Sequence, residues 1–148
     1  MSDGQLRAPT SRGTSEDLAR RPVRFAGYAA VFGRVDRGGD VVRCGAFARS
    51  LRRGAAVPLL WEHDGRRRIG RVEYLREDRR GLRVIGRVMD AQAAALLRGG
   101  DVSGLSFGYR VRTARGQAPR EIGELELVEV SLVARPMQPA ARVHAIAN

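Results

Sequence analysis

Apolar and polar residues alternate with a period of two from Ile69 to Leu75 and again from Leu82 to Met89, separated by Glu77-Asp78-Arg79-Arg80-Gly81. Successive side chains of an extended chain point to opposite faces, so this period suits a half-buried strand and is wrong for a helix. The polar stretch between the two runs, ending in glycine, predicts a hairpin turn. The alternation returns from Leu105 to Thr113. After a loop over Ala114–Arg120, a long strand-like run from Ile122 to Ala134 stops short of Pro136. Strands patterned in this way must cover one face, so the chain is constrained to a sheet folded over a core.

The other segments fit the same plan. Val23 to Phe32 is rich in aromatic and β-branched residues and reads as a strand with a bulge at Gly27. A turn-rich stretch, Gly33 to Asp40, follows. In Ala46–Arg53, Phe47 and Leu51 stand one helical turn apart and Gly54 closes a short helix. Val57–Glu62 is a compact apolar run whose Pro58 suits an edge or a strand start. Asp90 caps a second helix that ends at Gly99-Gly100. There is no β-α-β repeat. The fold class expected is α+β, mostly β: a small antiparallel barrel or sheet of about six strands with two or more short flanking helices. Residues 1–21, rich in Ser, Thr, Gly, Pro and Arg, read as a flexible basic tail, 22–143 as the domain and 144–148 as a C-terminal tail.

A length of 148 residues, 43% of them hydrophobic, fits one globular domain. Against 16 acidic residues stand 27 basic ones, all arginine, for a net charge of +11. Contact with polyanions or acidic proteins is therefore favourable. The uniform absence of lysine points to coding bias, however, and scattered arginines with 5% aromatics give no sequence-reading module, so any nucleic-acid contact is expected to be non-specific. No apolar run approaches the roughly 18 residues of a membrane span, and the first residues do not resemble a secretory signal. The expectation is a soluble, cytoplasmic protein away from membranes. Cys44 is the single cysteine and no Cys/His cluster is present, so neither a structural metal nor a cofactor is expected.

Three residues can carry chemistry. His63 stands where a strand meets a turn, in Trp61-Glu62-His63-Asp64-Gly65, whereas the second histidine, His144, is near the C-terminus. Ser106 lies in Gly104-Leu105-Ser106-Phe107-Gly108, and strand alternation places it with Gly108 and Arg110 on one face. Although Gly-x-Ser-x-Gly matches the nucleophile elbow in letters, the continuing strand is the wrong context for one. Glu129 falls in an apolar run, where a carboxylate needs a partner. Each residue also has a plain structural use: an exposed histidine, a serine filling a tight place in a sheet, a glutamate paired with arginine. A hydrolase using Cys44 is the further alternative, without a local base to support it.

The ordered set Gly27-Tyr28-Ala29-Ala30-Val31-Phe32, Gly45-Ala46-Phe47, Pro58-Leu59-Leu60-Trp61-Glu62-His63-Asp64, Leu105-Ser106-Phe107-Gly108-Tyr109 and Glu126-Leu127-Val128-Glu129-Val130-Ser131-Leu132-Val133 with Pro136 resembles the prohead (capsid maturation) proteases of tailed phages and gene transfer agents. That family is in turn similar in fold to the herpesvirus assemblins. The resemblance implies a serine endopeptidase with Ser106 as nucleophile, His63 as general base and Glu129 as the acidic third member. It further implies the major capsid protein and its scaffolding segment as partners, action inside an assembling procapsid, self-cleavage and, by analogy with assemblin, a homodimer. Arg135 and Arg110 are the arginines considered for the oxyanion. Pro136-Met137-Gln138-Pro139 departs from the Pro-Ala-Asn-Pro ending usual in the family. The rival reading is a non-catalytic basic protein of the same fold that binds capsid or scaffold.

Overall fold

The structure, a computed structural model, describes residues 14, 15, 17 and 20–148. In chain order its elements are β1 (Val23–Val31), β2 (Asp40–Val42), α1 (Ala48–Arg52), β3 (Pro58–Trp61), β4 (Asp64–Glu77), β5 (Gly81–Val88), α2 (Ala91–Arg98), β6 (Gly104–Arg115), β7 (Arg120–Val133) and β8 (Val143–Ala147). The two alternating runs form the β4–β5 hairpin, and its tight end is held by Asp78, whose Oδ1 accepts the Arg80 and Gly81 N–H groups at 2.8 and 3.1 Å.

From β4–β5 the sheet grows in both directions. On one side β5 pairs with β1 and β1 with β8, all antiparallel. On the other, β4 pairs with β3, and β3 runs parallel to the C-terminal half of β7. Short β2 pairs parallel with the N-terminal end of β7, while β6 lies antiparallel along its opposite edge. The segment 141–143 joins the two ends of this sheet. Leu105 N–H donates to Ala141 O (3.0 Å), Val143 N–H to Ser103 O (2.9 Å) and Tyr28 N–H to Arg142 O (3.1 Å). The sheet is thereby closed into a barrel, which removes the open edges on which flat sheets aggregate. Gly27 makes the closure possible, because a Cβ there would stand 2.3 Å from Arg142 O and 2.9 Å from Leu105 Cδ1.

The core is built from alternate strand residues, among them Phe25, Leu59, Leu82, Leu105, Leu125 and Leu132, all 2% exposed or less. Phe47 caps it from the turn before α1, its ring packed edge-on against Phe107 at 5.2 Å and its N–H held by Glu77 Oε1 at 2.8 Å. Asp90 caps α2 through its Oδ2, which accepts Ala93 N–H at 2.9 Å, and the helix buries Ala93, Ala94 and Leu97.

The mostly-β class with short helices is as expected, but among the described residues there are eight strands rather than six or so. Residues expected as a C-terminal tail form β8, because the otherwise open edge of β1 supplies partners that no local pattern announces (Arg24↔Ala147, Phe25↔Ile146). β2 arises just after the turn-rich stretch, held by β7 from 80 residues away in sequence, as Asp40↔Arg120. Most of the segment 1–21, expected as a basic tail, lies outside the described residues.

Candidate active site

Trp61 closes β3 and pairs with Asp64 at the start of β4, leaving Glu62 and His63 as a two-residue turn. Both have positive φ, 49° and 62°, the requirement of a type I′ hairpin that Asn-Gly usually meets. A non-glycine residue pays about 1–2 kcal/mol in that region, so the turn must be held from outside. The holding partner is β7 with the residue that follows it. Glu62 N–H donates to Leu132 O (3.0 Å), Glu62 Oε1 accepts Ala134 N–H (2.6 Å), and His63 N–H donates to Ser131 Oγ (3.0 Å).

β7 changes phase on the way to this turn. Up to Leu127 the odd-numbered residues Leu125 and Leu127 face the core, whereas beyond it Val130 and Leu132 do. The switch is a bulge at Val128: Tyr109 pairs with Leu127 and Gly108 with Glu129, so one residue of β7 has no partner on β6. One extra residue re-aims every side chain after it. Glu129 and Ser131 are thus turned together to the opposite face, where His63 meets them. The Glu129 carboxylate, in a residue 6% exposed, bonds His63 Nδ1 through Oε1 and accepts Ser131 Oγ–H through Oε2 at 2.6 Å. Gly108 provides the room, since a Cβ there would lie 2.5 Å from Glu129 Oε1.

Ser106 stands directly across from Ser131 in the β6–β7 ladder. Opposed residues of an antiparallel pair share a face, so Ser106 joins Glu129, Ser131 and His63 on one surface. The residue is 4% exposed, more buried than an open strand serine, and among the described residues its hydroxyl makes no hydrogen bond, none to His63 included. Contacts between nucleophile and base are often long in unliganded sites and tighten with substrate. The hydrogen bond and negative charge of Glu129 raise the His63 pKa above its ordinary value, with Glu62 adding to the rise and burial opposing it. Nδ1 is committed to the carboxylate, which leaves Nε2 as the ring atom free to act as base.

His144 and Cys44 lie elsewhere. His144 stacks edge-on over Tyr28 in the β1–β8 pair, with 5.6 Å between centroids. Cys44 is exposed between β2 and α1, at the end of β7 far from Glu129. Arg110 and Arg135 are exposed, Arg110 two residues beyond Gly108 and Arg135 just past β7. A cavity of about 410 Å³ lined by Arg43, Thr113 and Glu121 is likewise at that far end, away from this chemistry. Among the described residues no group of three or more His, Cys, Asp or Glu could hold a metal ion. Sequence reasoning named Ser106, His63 and Glu129 but passed over Ser131 and Glu62. The two-residue spacing of Ser131 from Glu129 was the available signal; nothing in the letters marked the bulge at Val128.

Comparison with known proteins bears on the family and on the fold. The sequence profile of a family described as Caudovirus prohead serine protease matches residues 11–148. The prohead protease of Enterobacteria phage HK97 is 33% identical over 94 residues, which cover 59% of this chain and 42% of that protein. The chain therefore spans less than half the length of that curated relative. In structure it is similar to the varicella-zoster virus protease (TM-score 0.60, 14% identity, 84% of this chain and 64% of that one). It is also similar to the bacteriophage T4 capsid assembly protease (TM-score 0.60, 14% identity, 74% and 80%). At these identities the structural likenesses bear on fold alone, and the fold they support is the assemblin-like barrel.

Proposed function

Because the chain belongs to the Caudovirus prohead serine protease family, we propose that it is a serine endopeptidase that cleaves the major capsid protein, in its scaffolding segment, within an assembling prohead. The observation that carries this reading is the hydrogen-bonded His63–Glu129 pair on the same face as Ser106, all three converging on one short stretch of β7. In the reaction His63 Nε2 takes the Ser106 Oγ proton as the oxygen attacks the scissile carbonyl, and the imidazolium so formed is stabilised by the Glu129 carboxylate. The same proton then passes to the leaving amine. Water, activated in turn by His63, releases the acyl group. Self-cleavage is the same chemistry with this chain as substrate.

The test is co-expression with the major capsid protein of the same particle, with intact masses recorded for wild type and Ser106→Ala. Capsid protein shortened at its N-terminus in the wild type alone supports both the activity and the nucleophile. If this chain also shortens in the wild type alone, self-cleavage is supported. Full-length capsid protein in both samples, from assembled shells, overturns the proposal and favours a capsid-binding role without catalysis.

A further inference from the structure

We propose that Ser131 is a positioning residue of this site: its hydroxyl clamps the Glu129 carboxylate and the His63 backbone into one unit that fixes the imidazole on the face that carries Ser106. The proposal rests on the reading of Ser106, His63 and Glu129 as the reacting groups. Ser131 is fully buried, at 0% exposure, in a strand otherwise lined there by Val130, Leu132 and Val133. A hydroxyl in such a place is costly unless both its donor and acceptor capacities are used. Here both are used. Its single proton goes to Glu129 Oε2 at 2.6 Å, and its lone pair takes the His63 N–H at 3.0 Å.

That assignment has a direction. With Oε2 occupied by the hydroxyl, Glu129 presents Oε1 to His63 Nδ1, which selects the tautomer whose Nε2 is unprotonated. The bond to the His63 backbone also holds a residue in a left-handed conformation it would not adopt freely. One side chain thus sets both ends of the imidazole–carboxylate contact. It does so from the position on β7 directly opposite Ser106, so the same rung of the ladder registers the nucleophile. The charged groups that act on the His63 ring are Glu129 from β7 and Glu62 from its own turn, and substituting Ser131 removes neither charge.

Two readouts on Ser131→Ala test this. The first is the His63 imidazole titration followed by NMR in a His144→Asn background, which needs no substrate. Freed of its clamp, Glu129 loosens from His63, and the His63 midpoint falls toward the value of an unperturbed histidine, about 6.5. The second is the rate at which a fluorophosphonate labels Ser106, expected to drop about ten-fold or more as the base loses its alignment. Ser131→Cys, of similar shape but with only a weak donor, should fall between wild type and alanine in both. If the alanine variant does not fold, the cysteine variant carries the test. A wild-type midpoint and labelling rate in a folded Ser131 variant overturn the proposal. Ser106→Ala keeps the two readings apart: labelling that survives in it sinks the assignment of the nucleophile, whereas silence there with no effect at Ser131 sinks the positioning role alone.

Discussion

His63 joins two opposite pH dependences in one residue. Its folded pKa is raised, so its pairing with Glu129 adds stability that is fully present below the unfolded value near about 6.5. That contribution is lost as pH rises through the higher folded value. The proposed mechanism requires the neutral ring, so cleavage is expected to rise over the same window. We expect the melting temperature of the wild type, relative to Glu129→Gln, to lose its advantage as cleavage gains, measured side by side from mildly acidic to mildly basic pH. Glu129→Gln itself should lower kcat by about 10²–10⁴-fold, as expected when a general base loses its orienting carboxylate. Gly108 makes a second residue-scale case. A methyl group there meets Glu129 Oε1 at 2.5 Å and Cγ at 3.0 Å, so Gly108→Ala must push the carboxylate off His63. Peptide cleavage should fall steeply while unfolding in urea registers a cost of only about 1–3 kcal/mol. A variant with full activity would mean that the carboxylate has another way to reach the ring.

Among the elements, the segment 141–143 and β7 do the most to place the site. β6 is bonded along β7 on one edge, and its start is tied through 141–143 to β1 on the other. Ser106 therefore sits on a strand fixed from both sides near its beginning. Gly27→Ala attacks this closure without touching the reacting groups, because its Cβ would collide with the Arg142 carbonyl. We expect a loss of about 1–3 kcal/mol in denaturant unfolding, with early loss of hydrogen-exchange protection at Leu105 and Val143. Unchanged protection there would show that the barrel is not held shut at this seam. The strand pattern of β4, β5 and β6 was readable because each alternation is local. β8 was not, since a five-residue strand has too little pattern and its partner β1 is more than a hundred residues away. The bulge at Val128 was hidden for a related reason: a phase change needs both strands of the ladder to be visible.

At the scale of the whole molecule the net charge of +11 is the dominant long-range feature. It favours any polyanion through counterion release and gives no preference among sequences. Binding to two unrelated DNA duplexes, followed by fluorescence anisotropy, should be equally strong and should weaken at least ten-fold, as an order of magnitude, between about 50 and 200 mM salt. Sequence preference, or insensitivity to salt, would count against this account.

By itself the sequence determined the mostly-β class, the hairpin at Asp78 and the cap at Asp90, and it singled out the three residues of the proposed site, because alternation, turn chemistry and capping act over a few neighbours. It also carried the resemblance to a protease family, through short pieces kept in order. Only the tertiary structure decided that Glu129 faces His63 and not the core, that Gly108 leaves the space for it, and that Ser131 joins the two. Those outcomes depend on register between β3, β6 and β7, strands whose paired residues at the site lie far apart in the chain, from Gly108↔Glu129 to Leu59↔Val130. A shift of one residue in either pairing would send each of these side chains to the other face.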